Sequence, residues 1–269
     1  MSAPARVPVR SGPIALHAER WGHAGPVVVL GHGFGGSARN FRPQARVLSV
    51  HHQVLLFDAR GHARSDAPEA PAAYRPECFV ADLGAVLDAS GAERAIVGGL
   101  SMGAGVALRF AIEHPDRVSG LILSAFPRAV DEPAHAPWAL GFARAIEERG
   151  LEAAGEEVIW GRFDPRTADL IKRGFVEHRP YALVNVLREL IAVQPPPAAM
   201  PELAEIRVPA LILVGSTDLP SLAPCRALAQ RIPRATLVEI PGAGHIVNLS
   251  HPAEYNRAVA DFLGTVAES

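Results

Sequence analysis

The chain has 269 residues, 49% of them hydrophobic and 20% charged, with a formal net charge of −2. That composition supports a globular core and excludes a disordered chain. The nearly balanced charge leaves no electrostatic footprint for nucleic acid or an anionic membrane, so neither is expected as a partner.

Residues 1–12 (MSAPARVPVRSG) lack the apolar segment of a secretory signal, and no later apolar run approaches a bilayer span. A soluble cytoplasmic protein is the expectation. Ile14 to Trp21 reads as an edge strand or half of a hairpin, and Pro26 to Leu30 as a compact apolar strand that stops at Gly31. Residues 38–48 read as helix and Val54 to Phe57 as the next strand. Phe79 to Ser90 has helical spacing, with Val80, Leu83, Val86 and Leu87 apolar. Ala95 to Gly98 is a strand, followed by a helix through Gly105 to His114 that Pro115 ends. Val118 to Ser124, Val208 to Val214 and Thr236 to Ile240 read as further strands. The second of these has the continuous hydrophobicity of a strand buried on both faces. Ala253 to Val266 is a closing helix. Strand–helix alternation of this kind predicts an α/β fold, a mostly parallel central sheet flanked by helices.

One segment interrupts the alternation. Between Phe126 and Pro201, Ala139 to Glu148, Ala153 to Trp160, Thr167 to Glu177 and Tyr181 to Val193 read helical, and no stretch reads as a strand. Pro195-Pro196-Pro197 then punctuates the return to the sheet. The expected division is a core of residues 1–125 and 202–269 with a helical cap, residues 126–201, inserted in it. Cys78 and Cys225 match neither a disulfide framework nor a metal site, and a buried reduced thiol is expected for each. No metal-binding pattern occurs, so neither metal nor cofactor is expected.

The most informative string is Gly99-Leu100-Ser101-Met102-Gly103, between a strand and a helix. That order places Ser101 on a sharp strand-to-helix turn, with small residues on either side to let the turn pass its neighbours. A serine hydroxyl is a poor nucleophile unless a base lies within reach and a further group orients that base. His245, in the glycine-rich Gly242-Ala243-Gly244-His245 after a strand, is the base candidate; the alternative is a surface loop histidine. His51, His52, His114 and His178 lie on or near helices, away from strand ends, and are read as having no part in the chemistry. Asp218, just past the strand at 208–214, is the orienting acid, where a turn former or helix cap is the plainer reading. Asp131 is a weaker rival within the cap segment.

Gly31-His32-Gly33-Phe34-Gly35-Gly36 follows a strand directly. The loop can aim the Phe34 N–H at the site, and the Met102 N–H lies at a helix N-terminus. Together they would form a two-donor oxyanion hole, worth about 3 kcal/mol per donor. The string also fits a nucleotide loop, but that reading leaves Ser101, Asp218 and His245 unexplained. In Asp58-Ala59-Arg60-Gly61-His62-Ala63-Arg64-Ser65-Asp66, Arg60 is expected to lock the loop through Asp58 and Asp66. His32 is expected to support its own loop by hydrogen bonding.

The strings HGFGG, DARGHARSD, GLSMG, VGSTD and GAGH, spread over positions 31–245, resemble the landmarks of the α/β-hydrolase fold family. The chain is similar in particular to small carboxylesterases, 3-oxoadipate enol-lactonases and cofactor-free perhydrolases, through GAGHIVNLSHP at 242–252. The resemblance implies Ser101 as nucleophile, His245 as base, Asp218 as acid, and Phe34 and Met102 as the oxyanion donors. Two positions depart from the family pattern. Ala63 stands where glycine is usual, and Pro220 follows Asp218 by two residues, where the family carries a proline a little further on. Serine at the elbow also separates the chain from dehalogenases and epoxide hydrolases, which use a carboxylate there.

The function expected is hydrolysis of an ester or lactone of a small, fairly apolar molecule. The alternatives are a C–C bond hydrolase of a dienoate-like diketone, a perhydrolase or acyl transferase, and a non-catalytic ligand receptor. Trp138, Phe142, Trp160 and Phe163 are the candidate pocket residues, with cap packing as the plainer role for each. Arg128 or Arg144 could meet a substrate carboxylate. A monomer or homodimer fits equally well.

Overall fold

The computed structural model describes residues 4–127, 135–162 and 165–267. The apolar run of valines ending at Leu30 has no polar face to offer solvent, and it forms β3 (Val27–Gly31), buried at every residue. The same holds for β5 (Ala95–Leu100) and β7 (Ala210–Gly215). With β1 (Ala5–Ser11), β2 (Ile14–Trp21), β4 (Gln53–Phe57), β6 (Val118–Ser124) and β8 (Ala235–Ile240) they build one eight-stranded sheet. Its order is β1-β2-β4-β3-β5-β6-β7-β8. β1 and β2 pair antiparallel, as do β2 and β4, and every other pairing is parallel.

Period-two alternation sends neighbouring side chains to opposite layers. Val29, Leu55, Val97 and Leu121 face the core shared with α2 (Pro76–Asp88) and α3 (Met102–Glu113). Val28, Leu56, Ile96 and Ile122 face the core shared with α1 (Arg42–Leu48) and α9 (Pro252–Ala267). α7 (Leu219–Arg231) follows β7, and the short α8 (Val247–Ser250) precedes α9.

Between β6 and β7 lies the inserted helical cap. It contains α4 (His135–Val158), broken at Gly150 (φ 80°), α5 (Pro165–Phe175), and α6 (Pro180–Val186), which runs on into a π-helical turn at Leu187–Ile191. Among the described residues from 125 to 209 there is no strand. Two elements differ from expectation. β1 is a full strand, and α7 is a thirteen-residue helix in a stretch the sequence left unassigned. Of the cysteines, Cys225 is buried as expected, and burial pushes its thiol up to about 12; Cys78 is only half-buried. No helix of the described residues is long and apolar enough to cross a membrane.

Candidate active site

The carboxyl ends of the parallel strands gather the candidate residues, as they do in open α/β sheets. β5 ends at Leu100 and α3 begins at Met102, so the chain must reverse on Ser101 alone. Ser101 adopts φ 53° and ψ −111°, a backbone state that costs a non-glycine residue and persists only where its surroundings enforce it. Those surroundings are backbone. A Cβ on Gly99 would stand 2.3 Å from Gly31 O, and one on Gly103 2.2 Å from the same atom. Only glycine lets the elbow press against the end of β3 this closely. The Ser101 N–H donates to Ser124 O at 2.8 Å, which fixes the turn from the other side. Ser101 is the N-cap residue of α3, yet its hydroxyl makes no cap hydrogen bond.

The loop after β3 runs beside this serine: a Cβ on Gly33 would lie 3.7 Å from Ser101 Cβ. Phe34 follows. Among the described residues, neither the Phe34 N–H nor the Met102 N–H donates to an acceptor within the chain. His32 braces the loop. Its Nδ1–H donates to Gly33 O at 2.7 Å, and its Nε2 accepts from the Ala59 N–H at 2.9 Å. That pattern requires the neutral ring, and burial holds the His32 pKa down at about 4.

Asp218 and His245 meet. His245 Nδ1–H donates to Asp218 Oδ2 at 2.8 Å, with the carboxylate buried and the imidazole partly open. The aspartate is the N-cap residue of α7, but its side chain makes no cap hydrogen bond. Pro220 falls in the first turn of α7, where its missing N–H costs no helix hydrogen bond, so the departure from the family spacing leaves this contact intact. The two loops are stitched together by backbone and hydroxyl hydrogen bonds. Thr217 N–H and Oγ1–H both donate to Ala243 O, at 2.9 and 2.7 Å, and the Gly242 N–H donates to Ser216 Oγ at 2.9 Å. A proton on Nδ1 leaves Nε2 with its lone pair free to accept.

Three supporting residues belong to no motif of the chain. Ser221, buried one turn beyond Asp218, places its hydroxyl 3.4 Å from His245 Nδ1. Gln44 and Asn248, both buried, bind the segment after His245 to the segment after the β3 loop. Gln44 Nε2–H donates to Asn248 O at 2.7 Å, and Asn248 Nδ2–H to Asn40 O at 2.9 Å. Polar residues on an apolar helix face were the only available signal for these.

The ion pairs of the Asp58–Asp66 loop differ from expectation. Arg60 forks onto Asp82 of α2 at 2.7 and 2.6 Å, both groups buried, because its side chain points under the loop toward that helix. Arg64 is the residue that grips Asp58, at 2.7 and 3.0 Å. Burial would raise the Asp58 pKa, but the hydrogen bonds from Arg64 and the Ala38 N–H and the nearby positive charge together outweigh it and hold the carboxyl below its usual range. Asp66 accepts from the Ala15 N–H at 2.7 Å. Ala63, at the position where the family carries glycine, has φ 43°.

The candidate pocket residues separate into groups. Phe142 lies against Phe34 with ring centroids 5.8 Å apart, and Trp138 lies 5.9 Å from Phe142, so both join the aromatic wall above the loop. Trp160 is buried within the cap, its ring filling the space beside Gly155 and meeting Phe175 edge-on at 5.5 Å. Phe163, Arg128 and Asp131 lie outside the described residues. Arg144 is exposed on α4.

The sequence profile of the alpha/beta hydrolase family matches residues 27–258. The chain belongs to the alpha/beta hydrolase family. It is 34% identical to a pimeloyl-[acyl-carrier protein] methyl ester esterase of Chromobacterium violaceum, over 90% of this chain and 96% of the relative. Among solved structures it resembles a thermophilic esterase from Thermogutta terrifontis, with TM-score 0.85 and 26% identity over 98% of this chain and 99% of that one. It also resembles the enol-lactonase from Burkholderia xenovorans LB400, with TM-score 0.82 and 28% identity over 97% and 100%. For this family member, the elbow at Ser101 and the Asp218–His245 pair occupy the carboxyl edge of one continuous sheet.

Proposed function

We propose that the protein is a serine hydrolase that cleaves a carboxylic ester or lactone of a small, fairly apolar substrate through an acyl-enzyme. The observation that carries the reading is the 2.8 Å contact between His245 Nδ1 and buried Asp218, together with a serine held at φ 53° on the elbow. Similarity to an esterase and to a lactonase supports the same class of bond.

In this reading His245 Nε2 takes the Ser101 proton as Oγ attacks the carbonyl carbon. No hydrogen bond joins the two side chains, and such contacts tighten when substrate binds. The negative charge that develops on the carbonyl oxygen falls to the Phe34 and Met102 N–H groups, which have no acceptor among the described residues. The leaving alkoxide receives the proton from Nε2. Water, deprotonated by the same nitrogen, then releases the acid. Asp218 keeps the proton on Nδ1 and stabilises the imidazolium of each half-reaction. The inserted helices α4 to α6 form the cap over this chemistry, and Phe34, Trp138 and Phe142 face the acyl or aryl part of the substrate. Trp160 supports that wall from inside the cap.

The test is steady-state hydrolysis of p-nitrophenyl esters of increasing acyl length and of simple lactones by the protein and its Ser101→Ala variant. Turnover that falls at least about 10³-fold in the variant supports the reading. Equal turnover by both proteins on every substrate contradicts it.

A further inference from the structure

We propose that His178 is a positioning residue through which the cap sets the geometry of the oxyanion loop. The inference rests on the reading of Phe34 N–H as an oxyanion donor. His178 lies in the turn between α5 and α6, is buried, and reaches two backbone carbonyls. Its Nδ1 is 2.9 Å from Phe175 O, in the cap, and its Nε2 is 3.1 Å from Gly36 O, in the loop. Both partners are acceptors. A proton on Nε2 therefore ties cap to loop, whereas a proton on Nδ1 alone folds the ring back onto its own segment.

Gly36 is where a pull on the loop matters. Its N–H donates to Gly33 O at 3.0 Å, which closes the turn that contains Phe34, and its carbonyl is the group His178 holds. One peptide unit on either side of Gly36 thus links the cap to the orientation of the Phe34 N–H. The same cap segment covers the loop from above. Gly35 has φ 67°, and a Cβ there would stand 2.4 Å from Cδ2 of Phe175, so the ring rests directly on the turn. The Phe34 ring meets Phe175 at 5.9 Å and Phe142 at 5.8 Å.

The floor beneath His178 is made of buried, uncharged imidazoles. The His62 ring lies between His178 and His32, with centroids 5.2 and 4.9 Å away. Burial, with the two neighbouring histidines, pushes the His62 pKa well down. The adjacent Glu177 carboxylate is turned outward to Arg39 at 2.8 Å, and Arg179 is exposed. No carboxylate therefore competes with the Gly36 carbonyl for the His178 proton among the described contacts.

His178→Ala and His178→Gln are compared with the wild type. Gln is the informative partner because its amide N–H can reach Gly36 O without an imidazole. Loss of one positioning hydrogen bond predicts kcat per titrated active site lower by about fivefold to tenfold in the Ala variant, with KM within about twofold. Affinity for a trifluoromethyl ketone, which places an oxyanion in the hole, falls by the same factor. Amide exchange at residues 33–36 accelerates by about tenfold, and Gln restores most of each loss. Unchanged kcat per site and unchanged exchange in the Ala variant would overturn the proposal, as would a Gln variant no better than Ala. If the wild type turned over no ester, the hydrolase reading would fail by itself, and the exchange measurement would still decide the coupling.

Discussion

At the carboxyl ends of the strands, backbone meets backbone. A Cβ at Gly103 would stand 2.2 Å from Gly31 O, and one at Gly215 2.2 Å from Ala243 O. In the cap, ring meets ring: Trp138, Phe142, Phe175 and Trp160 form a chain of aromatic contacts that ends on Phe34. The first kind of contact tolerates no side chain and so fixes atoms to a fraction of an ångström. The second depends on volume and shape, and other apolar residues of similar size would serve. The proposed catalytic groups sit on the first kind and the proposed wall of the substrate site on the second.

Substitutions separate the two regions. The largest effect is expected at Asp218→Asn, which keeps the shape and removes the charge that holds the His245 proton on Nδ1. Activity should fall by about 10³- to 10⁴-fold with little change in melting temperature, checked by ester hydrolysis and calorimetry. In the cap, Phe142→Ala opens a void against Phe34 and should cost about 3–5 kcal/mol in urea titration, with KM rising because the wall loosens. At the elbow, Gly103→Ala forces the first turn of α3 off β3. It should cost about 3 kcal/mol and also lower kcat, because the serine moves with the turn. A Gly103→Ala protein of normal stability and activity would break the distinction between the two kinds of contact.

A smaller effect concerns acid. Burial alone would raise the Glu19 pKa, but the hydrogen bonds from Arg42, His17 and Arg64 outweigh it and lower it from 4.5 to about 2. A depressed carboxylate stabilises the fold fully above its unfolded value and loses that contribution as pH falls through the interval toward 2. Glu19→Gln should therefore flatten the acid limb of the stability curve between about pH 4.5 and 2, read by melting temperature against pH. The smallest effect is a gain. Ala63 occupies φ 43°, where a Cβ is penalised, so Ala63→Gly should raise stability by at most about 1 kcal/mol.

The sheet is legible because its central strands are short apolar runs, buried on both faces. The hairpin strand Ala5–Ser11 is not, since it alternates buried and exposed residues and carries Pro8 in mid-strand. The helix at Leu219–Arg231 was hidden by Pro220 and Pro224, which read as punctuation; the first falls in the opening turn, where proline is tolerated. Asp218 and His245 could be named from the chain because each closes a strand end. Ser221, Asn248 and His178 could not, since their roles arise only when distant segments meet. Arg60 was assigned to the wrong carboxylates for a related reason. Sequence proximity favoured Asp58 and Asp66, while the fold turned the guanidinium toward Asp82.

Two serines have different proposed parts: Ser101 attacks, and Ser221 stands 3.4 Å from Nδ1 of His245. The direct measurement is covalent labelling with a fluorophosphonate, followed by peptide mapping of the adduct. The account predicts one phosphonyl group, on Ser101, lost in Ser101→Ala and retained in Ser221→Ala. An adduct on Ser221, or no adduct on a folded protein, would contradict it.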